Sequence, residues 1–115
     1  VSARYYVLDG TEPRAVDAQE WARWFQRCER HVALSEFLGV RVSTVFLGLN
    51  HQWGDGPPLI FETMIFGGPH DQYQERCSTW DEAERMHRAA LRLARWGWLS
   101  YWWLRVAKRF KGEQL

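Results

Sequence analysis

The last third of the chain carries two helical stripes that point in opposite directions. Ala83, Met86, Ala90 and Leu93 recur on one side of a helix, and Arg85, Arg88, Arg92 and Arg95 form a continuous stripe on the other. After Gly97 the phase changes. Leu99, Trp103, Val106 and Phe110 repeat at i, i+4, i+7 and i+11, and in an unbroken helix that stripe would lie on the arginine side. One straight helix would then need two opposite apolar partners. The pattern therefore predicts a break or kink at Gly97. It also predicts a Trp-rich, basic terminal helix, about residues 98–111, that packs on something the preceding helix does not. That partner is the far side of the same sheet or another copy of the chain.

The sheet is read from the middle of the sequence. Val40 to Leu49 alternates, with Val40, Val42, Thr44, Phe46 and Gly48 on one face and Val45, Leu47 and Leu49 on the other. Both faces are fairly apolar, which suits a central strand. His31 to Phe37 precedes it across the tight turn Leu38-Gly39, giving a hairpin. Leu59 to Phe66 reads as a third strand and Gln74 to Ser78 as a short fourth. Tyr5 to Asp9 is β-prone and stops at Asp9-Gly10. Asp17 caps a helix from Ala18 to about Arg30, with Glu20 completing a capping-box pattern and Trp21, Trp24, Phe25 and Cys28 as its apolar stripe. Thr79, followed by Glu82, caps the C-terminal helix. The fold class is α+β. A small antiparallel sheet of three to four strands meets an N-terminal crossing helix and a long, kinked C-terminal helical region, all in one domain over residues 1–115.

Composition narrows the function classes. With 115 residues there is no room for a second full core. Eight Trp exceed what a core of this size needs, so some rings belong to an interface or a ligand site. Net charge is only +1, which argues against a general polyanion binder. The charges are segregated, however. Eight of the fifteen basic residues lie between Arg85 and Lys111 with no acid among them, leaving seven basic against fourteen acidic residues elsewhere. A basic end on an acidic body suits phosphate, a lipid headgroup, an acidic partner or a neighbouring subunit, with nucleic acid the less favoured choice. Cys28 and Cys77 are expected as two reduced, mostly buried thiols. The first nine residues do not read as a signal peptide, and Trp96 to Ala107 is too short to span a bilayer and contains Arg105.

One block is distinctive: Tyr5-Tyr6, then Val42-Ser43-Thr44-Val45-Phe46-Leu47-Gly48-Leu49-Asn50-His51, Gly56-Pro57-Pro58-Leu59-Ile60-Phe61-Glu62-Thr63-Met64-Ile65-Phe66-Gly67-Gly68, and Gln74-Glu75-Arg76-Cys77-Ser78-Thr79 leading to Asp81-Glu82-Ala83-Glu84 and His87. Over about residues 4–90 it resembles an uncharacterised family of small phage and prophage proteins. Relatives often carry Asp, Phe and Tyr where this chain has Asn50, Trp53 and Cys77. The Trp-rich end is outside the resemblance. The resemblance implies a virus-encoded accessory protein in the cytoplasm of a bacterial host, and it supplies no catalytic residues.

Candidate site residues fall into four groups. The loop Asn50 to Pro58 leaves a central strand and carries His51, Trp53 and Asp55 among two glycines and two prolines. A Trp53 face, a His51 donor and backbone N–H groups at Gly54 and Gly56 would suit a base and its phosphates; the alternative is a crossover whose Gly and Pro only set backbone angles. Glu62 in an apolar strand needs a partner, for which Arg76 is the candidate; the pair is structural or ligand-binding. Arg88, Arg92 and Arg95 would grip phosphate or form a solvated face. Trp98, Trp102, Trp103 and Phe110 would form an oligomer interface, ahead of core completion and of an interfacial membrane helix.

No catalytic motif is recognised. Ser43 and Ser78 lie in no nucleophile elbow, Cys77 has no histidine assigned to it, and no phosphate-binding glycine loop is present. Cys28, His31, His51, His70, Cys77 and His87 lack metal-ligand spacing, so no metal or cofactor is assigned. The expectation is a homo-oligomeric anti-defence protein that sequesters a small nucleotide immune signal. The alternatives are an inhibitor of a host defence nuclease or complex, and a small nucleotide hydrolase using Glu62 or His51 as acid or base.

Overall fold

The computed structural model describes residues 3–113, with side chains described for residues 3–97, 99 and 100. The order is β1 (Tyr5–Asp9), β2 (Glu12–Val16), α1 (Ala18–Phe25), β3 (His31–Phe37), β4 (Val40–Phe46), β5 (Phe61–Phe66), β6 (Gln74–Cys77) and α2 (Trp80–Glu113). The fold is α+β. β3-β4-β5-β6 form a four-stranded antiparallel meander, and β1-β2 form a separate antiparallel ribbon. The ribbon reaches the meander through a bridge from Tyr5 to Leu49 and a hydrogen bond from the Tyr6 N–H to the Gly48 carbonyl, 2.9 Å.

Alternation along β4 decides which face of the meander is covered. Val40, Val42, Thr44 and Phe46 are buried, and register sets Ile65, Thr63 and Phe61 of β5 opposite the last three. α2 lies across this face and buries Ala83, Met86, His87, Ala90 and Ala94. Small side chains let the helix axis approach the sheet closely. The core divides in two. One cluster holds Phe46, Ile60, Phe61, Cys77, Ala83 and Met86; the other holds Val40, Val42, Ile65, Ala90 and Ala94. Buried Thr44, Thr63 and His87 form a polar layer at the level of the sheet between those two sets of residues.

α1 is shorter than its sequence pattern. The Asp17 carboxylate accepts from the Glu20 N–H at 2.8 Å as a cap should, but the helix ends at Phe25. Cys28 therefore leaves the apolar stripe and is exposed, so only Cys77 is a buried thiol. Trp24 stacks edge-on against Phe46, with centroids 5.6 Å apart, and Trp21 packs on Phe25 and Tyr5. The Trp21 indole occupies the place a side chain on residue 48 would need. A Cβ on Gly48 would sit 2.7 Å from its Nε1, and Gly48 also has φ +75°. This left-handed residue ends β4 at Phe46, three residues before the alternation stops.

The break predicted at Gly97 is absent: α2 continues through it as one element. The glycine has a packing role. It is buried, and a Cβ there would overlap Cδ2 of the His70 ring. The bare backbone is a notch for that ring, at a cost in helix propensity of about 1 kcal/mol relative to alanine.

Candidate binding site

The loop between β4 and β5 is organised by two amide side chains. Asn50 Oδ1 accepts from the Gln52 N–H at 2.8 Å and from the Leu59 N–H at 3.1 Å, closing the loop at its base. Asn50 Nδ2 donates to the Ala3 carbonyl, and the Asn50 N–H donates to the Arg4 carbonyl, which ties the N-terminal segment alongside. Gln52 then fills the loop. Its Nε2 donates to the Pro57 carbonyl at 3.0 Å, while Oε1 accepts from the N–H groups of Trp53 and Gly54. With its backbone and amides bonded internally, the loop has little freedom to collapse onto the body. It holds the Trp53 side chain wholly in solvent, at 100% exposure.

A shallow groove of about 440 Å³ lies between this loop and the N-terminal segment, lined by Ala3, Arg4, Asn50, Gln52, Trp53, Gly54 and Asp55. Two expected contributions change. The Gly54 N–H is bonded to Gln52 and is not offered to a ligand. His51 is half-buried, donates its backbone N–H to the Leu59 carbonyl, and does not line the groove. Arg4 was not singled out in the sequence; it supplies the groove's cation. No local pattern marks Arg4, which is placed by Asn50 from across the fold.

Glu62 and Arg76 are partners, as their residue types required. They sit opposite each other in the β5–β6 register, with Arg76 Nε 2.9 Å from Glu62 Oε2. Gln74 Nε2 donates to the same oxygen at 2.6 Å. The pair lies on the face of the meander turned away from α2. Leu34, Ser43, Val45, Met64 and Phe66 share that face by register, and Leu34 and Phe66 are exposed. Arg88, Arg92 and Arg95 are on the outer face of α2, across the sheet from Glu62. Arg88 pairs weakly with Glu84 at 3.9 Å, and Arg95 lies 5.8 Å from the Phe37 ring centroid. α2 starts beside Phe61, near the loop, and reaches Val40 and Val42 at its Ala90–Ala94 level. Trp53, the Glu62–Arg76 pair and the arginine stripe therefore belong to three different surfaces. Trp98, Trp102, Trp103 and Phe110, expected at an oligomer interface, lie outside the described side chains.

A serine–imidazole contact escaped the sequence because its members are 52 residues apart. His87 Nε2 is 2.9 Å from Ser35 Oγ, its Nδ1 is 2.8 Å from Thr44 Oγ1, and Thr44 Oγ1 is 2.5 Å from Thr63 Oγ1. Burial lowers the pKa of the imidazole and favours its neutral form. A hydroxyl, not a carboxylate, holds the second ring nitrogen, so the orienting charge of a nucleophile–base–acid triad is missing from this contact. It reads as a hydrogen-bonded core link. The Cys77 thiol is pushed up to about 11, chiefly by burial, and is a thiol at neutral pH. Among the described residues, no three His, Cys, Asp or Glu side chains gather as metal ligands would, and no helix is long and apolar enough to cross a membrane.

No family model matches the chain, and no curated protein or solved structure is similar to it.

Proposed function

We propose that this chain is a phage-encoded accessory protein that acts by stoichiometric capture of a small nucleotide signal in its bacterial host, with the Trp53 loop as the contact. The observation that carries the reading is a fully exposed indole on a loop fixed by Asn50 and Gln52. An exposed aromatic face on an anchored loop can stack on any base, and such stacking contributes about 1–3 kcal/mol per base. Arg4, in the same groove, supplies the fork that meets a phosphate. The groove volume lies in the range of small-ligand sites. The helix arginines are remote from this groove and would serve a second ligand or a second surface.

Native mass spectrometry with a panel of cyclic and linear nucleotides tests the reading. An intact added mass that Trp53→Ala and Arg4→Ala each weaken tenfold or more is the supporting result. A ligand that leaves with altered mass would indicate hydrolysis, and binding untouched by both variants would remove the loop assignment. A second reading is a protein-directed inhibitor of a host defence complex. The exposed Leu34 and Phe66 on the open sheet face favour it. A bare protein in the nucleotide panel, with a host protein retained by the wild type and lost with Leu34→Glu, would support it.

A further inference from the structure

We infer that two copies of the chain pair antiparallel through the outer face of the second half of α2, along a seam of Trp96, Leu99, Trp103, Val106 and Phe110. This is independent of what the Trp53 loop binds. The starting point is helical phase. α2 passes Gly97 without interruption, and the face it packs inward is still Ala90, Ala94 and Gly97 at that level. Trp96 and Leu99 lie on the other side, 70% and 52% exposed. The first two members of the apolar repeat are therefore turned away from this chain's own sheet.

The spacing of that repeat identifies the occupant. Trp96, Leu99, Trp103, Val106 and Phe110 follow one another at steps of 3, 4, 3 and 4. This is the a/d spacing by which one helix packs along another, not the broader face that beds on a sheet. The stripe is also nearly its own reverse about Trp103. In an antiparallel pair centred there, Trp96 meets Phe110, and Leu99 meets the Val106 level, at both ends of the seam. Trp98 and Trp102 fall outside this seam by phase.

Charge selects the second copy and its direction. Upstream of Trp96 the same phase is occupied by Arg85, Arg88 and Arg92, all exposed. A parallel pair would set these rows against each other. The antiparallel pair moves them apart. It also brings Glu113, the one acid after Glu84, level with Arg92 of the second copy. The basic Arg105 and Lys108 fall off the seam. Aromatic side chains bury about 150–250 Å² each, so the six rings of such a seam approach the roughly 1,200–2,000 Å² of a stable interface.

Sedimentation velocity across a hundredfold concentration range tests the pairing. The full chain should run at twice its 13.7 kDa mass. Leu99→Glu and, separately, Trp96→Glu should give monomers with unchanged far-UV circular dichroism, since both residues are exposed. For direction, Trp103→Cys in a Cys28→Ser background should form a disulfide-linked dimer on mild oxidation, whereas Leu99→Cys should not. A monomer at every concentration, or a dimer that survives both glutamate substitutions, would overturn the proposal. So would a monomer that co-sediments with anionic phosphatidylserine vesicles, which would make lipid the occupant. Cross-linking by both cysteine variants would overturn the antiparallel direction.

Discussion

Thr44→Val is the most informative single change to the core. The substitution preserves shape, so it opens no cavity, and it removes one hydroxyl from a fully buried site. That hydroxyl bonds both Thr63 Oγ1 and His87 Nδ1. Its loss strands two polar atoms in the interior, each costing about 1–3 kcal/mol, so the variant should lose roughly 2–6 kcal/mol. This is a large share of the ~5–15 kcal/mol that stabilises a domain of this kind. Removing the whole set, as Thr44→Val with Thr63→Val and His87→Leu, leaves only the half-exposed Ser35, which water can serve. The triple variant should therefore be more stable than the single one. Urea unfolding followed by circular dichroism reads both. A Thr44→Val cost below about 1 kcal/mol, or a triple variant weaker than the single, would show that the hydroxyl–imidazole layer is not a satisfied unit. The same network sets an acid limit. Burial lowers the His87 pKa, so the unfolded chain takes up its proton at a higher pH than the folded one. The His87 contribution is complete above its unfolded pKa, about 6.5, and is lost as pH falls through the lower folded value.

Three other outcomes follow from named contacts. Leu38 has φ +47° in the β3–β4 turn and is 68% exposed, so Leu38→Asn should raise stability by about 0.5–1 kcal/mol in denaturant unfolding; a loss would mean that Leu38 packs on something. Gly97→Ala should destabilise despite its better helix propensity, because the new methyl meets the His70 ring, and Gly97→Ala with His70→Ala should recover the loss; a stabilised single variant, read by thermal melting, would contradict the notch. A double-mutant cycle of Glu62→Gln and Arg76→Gln should give a coupling of about 1 kcal/mol, reduced by partial exposure, that shrinks in high salt; zero coupling at low salt would make the pair incidental.

The sheet was legible where burial is one-sided. The period-two pattern of Val40, Val42, Thr44 and Phe46 is the covered face itself, and the apolar neighbours of Glu62 forced a partner that the register supplied in Arg76. The caps at Asp17 and Thr79 were legible because they act within three residues. β2 was not. Glu12-Pro13-Arg14-Ala15-Val16 has little strand propensity and pairs only because β1 folds back on it, with Arg14 bridging Asp9 and Glu20. Gly97 was misread because a helical glycine serves a break and a close contact equally, and only the position of His70 decides between them. In the loop, Trp53 was visible as a residue type. The role of Gln52 was hidden, since its three partners span Trp53 to Pro57 through a side chain with no directional pattern in sequence.

Between Ala83 and Gly97 the buried face of α2 is mostly small side chains. Ala83, Ala90 and Ala94 would glide over a sheet almost as well one turn forward or back. Two features remove that freedom. The His87 imidazole is pegged among Ser35, Thr44 and Thr63, and the His70 ring is seated in the gap at Gly97, ten residues or about 15 Å further along the axis. One peg alone would allow the rod to pivot; two set both its axial position and its rotation. The azimuth at which Trp96 and Leu99 leave the sheet, and hence the outward direction of both, is dictated by these two rings in the body.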